Sequence, residues 1–176
     1  MHINYEFKAR YTDLEILESK LKQHNPVFIG TDHQVDTYFN VPTGRLKLRE
    51  GNIENSLIHY TRTDAATAKQ SDIILYQHQR DKNLKDLLSK ALGIKIVVDK
   101  TRKIYFIDNV KFLFDEVNEL GSFVEVEAID KDGSIGIEKL KQQCDHYIDL
   151  FSITEDQFIA ESYSDLLVKK SSTYKS

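Results

Sequence analysis

Residues 4–10 read Asn-Tyr-Glu-Phe-Lys-Ala-Arg, a stretch in which apolar and polar side chains alternate without interruption. A period of two is typical of a β-strand, whose successive side chains point to opposite faces. The polar face of this strand is unusual because three of its four positions, Glu6, Lys8 and Arg10, are formally charged. What this charged face meets in the folded protein decides the architecture.

The same alternation of charge recurs in three later stretches. The charged positions are Arg45, Lys47 and Arg49, then Lys100 and Arg102, then Glu125 and Glu127. In one interpretation these faces are solvated and only confer solubility. In the other, the sheet closes into a barrel and the charges point inward, where they must be paired, metal-bound or holding a ligand. Periodicity alone leaves both open.

A lumen with these side chains would suit a polyanion that carries a divalent cation. Arginine makes bidentate contacts with phosphate oxygens, and lysine supplies a point charge. Paired carboxylates bind Mg²⁺ or Mn²⁺ through oxygen. With seven glycines and no glycine-rich phosphate loop, phosphate recognition must come from side chains.

The hydrophobic pattern predicts eight strands with helices between and after them. Strands are predicted at 3–10, 34–39, 45–50, 55–62, 72–79, 96–107, 110–117 and 123–129. Helices are predicted after a capping box at Thr12 and Glu15, at 84–92, at 135–151 and from Thr154 onward. This order predicts an α+β fold.

Composition limits the classes of function. The 176 residues suit one domain, with 40% hydrophobic and 30% charged residues. A net charge of −4 and a pI of about 5.9 argue against binding to nucleic acid or to an anionic membrane. Cys144 is the one cysteine, which rules out an internal disulfide. The N-terminus has no secretory or membrane-spanning pattern, so we expect a cytoplasmic protein. The six histidines show no zinc-site spacing.

Seven segments, in chain order, contain recognisable sequence motifs. They are NYEFKAR (4–10), QVDTYF (34–39), GRLKLRE (44–50), LIHYTR (57–62) with Lys69 and Ser71, KTR (100–102), the DEV, LG and FVEVE run within 115–127, and SYSDLL (162–167). Together they resemble the motifs of the CYTH superfamily, the triphosphate tunnel metalloenzymes. The fourth segment is similar to the class IV adenylyl cyclase branch.

This resemblance implies an eight-stranded antiparallel closed β-barrel, the triphosphate tunnel, with helices packed outside. We expect residues 1–168 to form a single tunnel domain and residues 169–176 a frayed polar tail. The implied ligands are ATP or another triphosphate together with Mg²⁺ or Mn²⁺. A homodimer is compatible with such a barrel.

The resemblance also assigns roles to residues of this sequence. The implied substrate-binding residues are Lys8, Arg45, Lys47, Arg49, Arg62, Lys69, Lys100 and Arg102. The implied metal ligands are Glu6, Glu125, Glu127 and Asp115. Lys8, Asp115 and Arg102 are the expected catalytic residues, with Asp115 a metal ligand or a base. Lys69 is expected on a loop that closes over the substrate.

Three activities stay open at this stage. The similarity to the cyclase branch favours conversion of ATP to cyclic AMP and pyrophosphate. The same residues would serve a triphosphatase acting on tripolyphosphate, a nucleoside triphosphate or thiamine triphosphate. Asn4 stands where the family signature has its first glutamate, and this loss of a carboxylate favours a non-catalytic triphosphate-binding protein as a third hypothesis. A domain with a solvated charged sheet would bind no triphosphate at all.

Overall fold

The computed structural model of the chain describes residues 2–62 and 69–173. Its strands are β1 (His2–Arg10), β2 (Val27–Phe39), β3 (Arg45–Glu50), β4 (Asn55–Arg62), β5 (Lys69–Gln77), β6 (Ile94–Ile107), β7 (Val110–Val117) and β8 (Gly121–Asp130). Its helices are α1 (Leu14–Lys22), α2 (Lys82–Leu92), α3 (Ile137–Phe151) and α4 (Tyr163–Thr173). A single 3₁₀ turn covers Glu155–Gln157.

The eight strands form a closed antiparallel barrel in the order β1-β5-β4-β3-β2-β6-β7-β8. Closure comes from β1, which pairs with β5 on one side and with β8 on the other. Strands four places apart in this order face each other across the lumen, so β3 opposes β8, and β4 and β5 oppose β6 and β7. The predicted closed barrel is confirmed, and a sheet with one open face is excluded.

Helices α1 and α3 cover the apolar outer face of β1, β7 and β8. Leu17 of α1 and Leu140 and Phe151 of α3 pack with Phe7 and Phe112 in one cluster of buried side chains. Burial of each such side chain contributes about 1.5–3 kcal/mol to stability. On β1, β7 and β8 the apolar half of the alternation therefore faces these helices, and the polar half is left to face inward.

Helix α4 closes one end of the lumen. Tyr163 and Leu167 of this helix pack on Tyr60 and Phe123, which point into the barrel from β4 and β8. The rings of Tyr163 and Phe123 lie 4.9 Å apart. None of the helices within 2–62 and 69–173 has the length and apolar character needed to cross a membrane.

Several predicted elements begin at other residues in the structure. Helix α1 is capped by Asp13, not Thr12, because the Asp13 carboxylate accepts the Glu15 N–H at 3.2 Å. Strand β2 begins at Val27, seven residues before the predicted start, because its first half continues to pair with β6. Strand β5 begins at Lys69, which therefore lies on a strand and not on the expected loop.

The predicted helix from Thr154 is interrupted. After the 3₁₀ turn the chain is extended, with Phe158 bridged to Ala9 and the Ile159 N–H bonded to the Lys8 carbonyl at 2.9 Å. These bonds to β1 replace helical ones, so α4 starts only at Tyr163. It then continues to Thr173, five residues into the segment we expected to be frayed.

Candidate active site in the barrel lumen

A cavity of about 550 Å³ occupies the interior of the barrel, and charged side chains dominate its wall. Among the described residues, its basic lining consists of Lys8, Lys47, Arg49, Lys100, Arg102, Lys111 and Lys131. Its acidic lining consists of Glu6, Asp36, Glu54, Glu125 and Glu127. The charged faces of the alternating strands thus point into an enclosed space, and basic groups outnumber acidic ones.

Asp36 on β2 holds three cations at once. Its two carboxylate oxygens accept the Nε and Nη2 groups of Arg49, each at 2.9 Å. The ammonium groups of Lys100 and Lys47 lie 2.8 and 3.2 Å from the same carboxylate. Burial alone would raise the pKa of Asp36, but these cations, Arg49 foremost, hold it well below its usual range. One carboxylate therefore gathers three phosphate-binding candidates on one wall.

The pKa of Lys100, one of these cations, results from opposing effects. Its side chain is buried, and burial lowers its pKa to about 7. Asp36 opposes this shift, while the positive charges of Arg49 and Arg102 reinforce it. An anion bound beside Lys100 would favour the charged ammonium form.

Arg102 is held in place by two carboxylates. Its Nε and Nη2 groups donate to the two oxygens of Asp115 at 2.6 and 2.5 Å, and Nη2 also donates to Glu125 at 2.9 Å. Asp115 in turn accepts the Tyr163 hydroxyl at 2.7 Å. Asp115 therefore faces the barrel interior as expected, but its carboxylate is fully buried between partners and does not line the cavity.

The three signature glutamates lie together on the neighbouring strands β1 and β8. Glu6 is the direct cross-strand partner of Glu127, and Lys8 that of Glu125, with a Lys8–Glu125 ion pair at 3.4 Å. Burial raises the pKa of Glu127, Lys111 opposes this shift and the negative charges of Glu125 and Glu6 add to it, so that the pKa is about 7. The two strands thus bring three carboxylates together in one part of the lumen.

The donor set in this region fits a hard divalent cation. Besides Glu6 and Glu127, the buried Oδ1 of Asn4 has no hydrogen-bond partner in the described part of the chain. Oxygen donors of this kind are what Mg²⁺ and Mn²⁺ prefer. Within residues 2–62 and 69–173, however, no three His, Cys, Asp or Glu side chains are already grouped to hold a metal. Glu125 is held by Lys8 and Arg102 instead.

For three predicted substrate-binding residues, the structure shows either another side-chain partner or the position of the backbone alone. Arg45 shares the inward face of β3 but does not line the cavity, because its Nη2 pairs with Asp165 of α4 at 2.8 Å. The backbones of Arg62 and Lys69 lie on β4 and β5, and their side chains lie outside the described residues. The expected closure of Lys69 over the substrate therefore stays a prediction.

Sequence reasoning missed four residues of the site. Asp36 is a charged residue at an inward-facing position of a strand that was already predicted. Lys111 lies two residues before Leu113 and four before Asp115, so it shares the inward face of β7 with both. Both could have been found by extending the alternation. Glu54 lies in a loop without periodicity, so no pattern pointed to it. Tyr163 belongs to the SYSDLL motif, but that motif gave it no role in the site.

Among the described residues, the wall opposite the basic strands β6 and β7 combines aliphatic side chains with the polar side chains of Ser56, Ser71 and Gln77. Ile58 on β4 and Ile73 and Leu75 on β5 line it, with Ile53 and Ile129 beside them. The lumen thus offers cations on one side and aliphatic surface on the other.

The CYTH domain profile matches residues 2–157. The chain belongs to the CYTH family. This family is in general enzymatic, metal-dependent and triphosphate-binding. A comparison with curated proteins gave no match.

Solved structures share the fold of this CYTH domain. The PH1012 protein of Pyrococcus horikoshii OT3 has a TM-score of 0.79 at 22% identity, covering 93% of this chain and 98% of that one. A proposed adenylate cyclase from Vibrio parahaemolyticus has a TM-score of 0.74 at 17% identity, covering 94% and 98%. A proposed adenylyl cyclase from Hippeastrum, described as revealing a dominant triphosphatase activity, has 0.61 at 13%, covering 98% and 96%. At these identities the likeness shows the fold alone.

Proposed function

We propose that this CYTH domain is a metal-dependent phosphoryl-transfer enzyme that binds a nucleoside triphosphate in its lumen and, in the manner of class IV adenylyl cyclases, converts ATP to cyclic AMP and pyrophosphate. The observation that carries the proposal is the convergence of buried cations, among them Arg49, Lys100 and Arg102, in one enclosed lumen together with the carboxylates of β1 and β8. A solvated sheet would have no reason to bury so many charges.

The phosphate chain would lie along the basic wall. Arg49 and Arg102 each present a planar guanidinium suited to two phosphate oxygens, and Lys47, Lys100 and Lys8 supply point charges. These groups are held by Asp36, Asp115 and Glu125 before any ligand arrives. Little reorganisation is then needed when charge develops in the transition state.

The divalent cation would be held by Glu6, Glu125 and Glu127, with the Asn4 amide oxygen as a further donor. When bound, Mg²⁺ or Mn²⁺ supplies positive charge to phosphate oxygens. The amide of Asn4 offers oxygen without charge, so the affinity for the cation is lower than a fourth carboxylate would give. The role of Asp115 suggested by its contacts is to position Arg102.

In the cyclisation, the ribose 3′-oxygen attacks the α-phosphorus and a new oxygen–phosphorus bond forms. The bond from the α-phosphorus to the bridging oxygen breaks, and pyrophosphate leaves with that oxygen. The hydroxyl proton passes to solvent water. Lys8 and Arg102 stabilise the negative charge that builds up on the reacting phosphate oxygens.

The aliphatic surface of β4 and β5 supports an organic triphosphate over inorganic tripolyphosphate. Ile58, Ile73 and Leu75 would leave aliphatic surface facing a fully charged ligand, which gains nothing from it. A nucleoside attached to the triphosphate would bury this surface, at about 25 cal/mol per Å².

Hydrolysis is the second candidate. Water in place of the 3′-hydroxyl would attack the γ-phosphorus with the same binding groups. The triphosphatase activity described for the Hippeastrum relative favours it, because that protein too was a proposed cyclase. A non-catalytic binder, suggested by Asn4, would keep the binding and lose both reactions.

One assay separates these outcomes. The purified protein is incubated with ATP and Mn²⁺, and the products are resolved by chromatography. Cyclic AMP with pyrophosphate supports the cyclase, and ADP with phosphate supports the triphosphatase. Binding of ATP without any product would overturn the enzymatic proposal and leave the binder.

A further inference from the structure

The loop between β3 and β4 is fastened to the barrel by a buried carboxylate. Asp32 of β2 is fully buried and accepts three successive backbone N–H groups, those of Asn52, Ile53 and Glu54, at 2.6, 2.9 and 3.0 Å.

The loop is closed tightly around this anchor. A Cβ at Gly51 would lie 2.7 Å from Asp32 Oδ2 and 2.7 Å from the Glu54 carbonyl, so no side chain fits there. The side chain of Asn55 bonds both the N–H and the carbonyl of Gly51, each at 3.1 Å.

The carboxylate of Asp32 is stabilised, among the described residues, by N–H donors alone. In the part of the chain that the structure describes, Asp32 forms no ion pair, and its remaining donor is the buried Gln34 amide at 2.8 Å. Burying a carboxylate that only N–H groups stabilise is costly in free energy.

The anchored loop places the side chain of Glu54 in the lumen. Its carboxylate pairs with Arg49 Nη1 at 3.1 Å and with the Lys111 ammonium, and it accepts the Gln34 amide at 3.0 Å. Burial alone would raise the pKa of Glu54, but Lys111 and Arg49 hold it well below its usual range. Glu54 therefore bridges cations of two different strands, β3 and β7, in the way that a phosphate group would.

We infer that Glu54 is an affinity-determining residue of the lumen, a resident anion that occupies Arg49 and Lys111 until a triphosphate displaces it, and that Asp32 is the positioning residue that holds it there. The inference rests on the proposed triphosphate binding. Glu54 is then a counter-charge that weakens ligand binding enough for the ligand to be released.

The inference is tested by whether a Glu54 variant binds tripolyphosphate more tightly or more weakly than the wild type. Glu54→Gln keeps the size and the hydrogen-bonding oxygen of the side chain but removes the competing charge. We expect the dissociation constant for tripolyphosphate, measured by calorimetry, to fall at least about fivefold. A residue that merely supports the site would give weaker binding when changed, so weaker or unaltered binding would overturn the inference.

Asp130→Asn is the matched control. Asp130 anchors a different loop through the N–H groups of Gly133, Ile135 and Gly136 at 2.8, 3.2 and 3.0 Å, and its loss changes the net charge by the same amount. Its tripolyphosphate affinity should equal that of the wild type. An equal gain in both variants would mean that overall charge, not Glu54, sets the affinity.

The anchor is tested without any ligand. Amide hydrogen exchange at Asn52, Ile53 and Glu54 should be slow in the wild type and faster by at least about tenfold in Asp32→Asn. Fast exchange in the wild type would refute the anchor. Failure of the wild type to bind tripolyphosphate would instead refute the proposed function, while the exchange result would still judge the anchor.

Discussion

At the scale of single residues, the lumen is a set of charges that depend on one another. Asp36 illustrates this because three cations share its one carboxylate. Buried charges in such a cluster are stable only as a group, since removal of one member leaves the others without compensation.

Asp36→Asn should therefore destabilise the protein. Arg49, Lys47 and Lys100 would lose their shared counter-charge, and we expect the free energy of unfolding in urea to drop by about 3–5 kcal/mol. Tripolyphosphate should restore part of this loss, because it returns negative charge to the same cations. Asp86→Asn, at an exposed position of α2, is the control, and equal stability of the two variants would contradict the account.

Lys100 should make ATP binding depend on pH. Its pKa of about 7 in the free lumen rises when phosphate binds beside it, so binding takes up a proton above pH 7. The affinity should fall as the pH rises from 7 to 9, by up to about tenfold per pH unit.

Calorimetry of Lys100→Arg checks this dependence, because an arginine stays charged throughout the range. Lys103→Met is the matched control, since Lys103 lies on the same strand but points outward to Glu18. A steep pH dependence that survives in Lys100→Arg would assign the titration to another group or to ATP itself.

Glu125→Gln should separate catalysis from folding. Arg102 keeps both bonds to Asp115, and relief of the repulsion between Glu125 and Glu127 offsets the loss of the Lys8 ion pair, so the melting temperature should change by only a few degrees. Metal-dependent turnover of ATP should fall by about 100-fold or more, since a cation ligand is lost. Glu116→Gln, exposed on the outer face of β7, should retain full turnover. A collapse of stability in Glu125→Gln would show that its role is structural.

At the scale of elements, α4 connects the end of the barrel to the chemistry inside it. Tyr163 packs on Phe123, donates to Asp115 and lies under the Lys8 ammonium, which is 4.2 Å from its ring centre. The helix thus contacts two expected catalytic residues from outside the matched domain region, which ends at residue 157.

Tyr163→Phe tests this connection. The ring and its packing remain, but Asp115 loses one hydrogen bond, which costs about 1–3 kcal/mol of stability. Because Asp115 then holds Arg102 less firmly, we expect kcat to fall by about tenfold with little change in KM. Loss of stability without any loss of kcat would confine Tyr163 to a structural role.

Elements with a pure alternation were predictable to within a few residues. Strands β3, β4 and β7 have the predicted limits because each is bounded by turn residues and paired along its whole length. The first half of β2 and the break before α4 were not predictable. Both are set by pairing with distant strands, through Val27 with β6 and through Phe158 and Ile159 with β1.

The candidate site was predicted only in part, for a similar reason. The cavity is lined by Lys8, Lys47, Arg49, Lys100 and Arg102, which the alternation placed on shared strand faces and the family resemblance placed in the lumen. The pattern could not show that Asp115 is also bound by Tyr163, or that Arg45 pairs with Asp165, because Tyr163 and Asp165 belong to a helix more than 45 residues away in the chain.

At the scale of the whole molecule, closure of the sheet gives the charges their function. The pairing of β1 with both β5 and β8 turns an outward-facing polar surface into an enclosed one. Inside it, the cations of β3 face the carboxylates of β8, and the aliphatic wall of β4 and β5 faces the basic wall. A phosphate chain with a cation and an organic group matches this arrangement on all sides.

Calorimetric titration of the purified protein with tripolyphosphate tests this central claim most directly. The account predicts one binding site per chain in the wild type and binding at least about tenfold weaker in Arg49→Ala, which removes a guanidinium from the basic wall. No heat of binding in the wild type, or undiminished binding in Arg49→Ala, would contradict it.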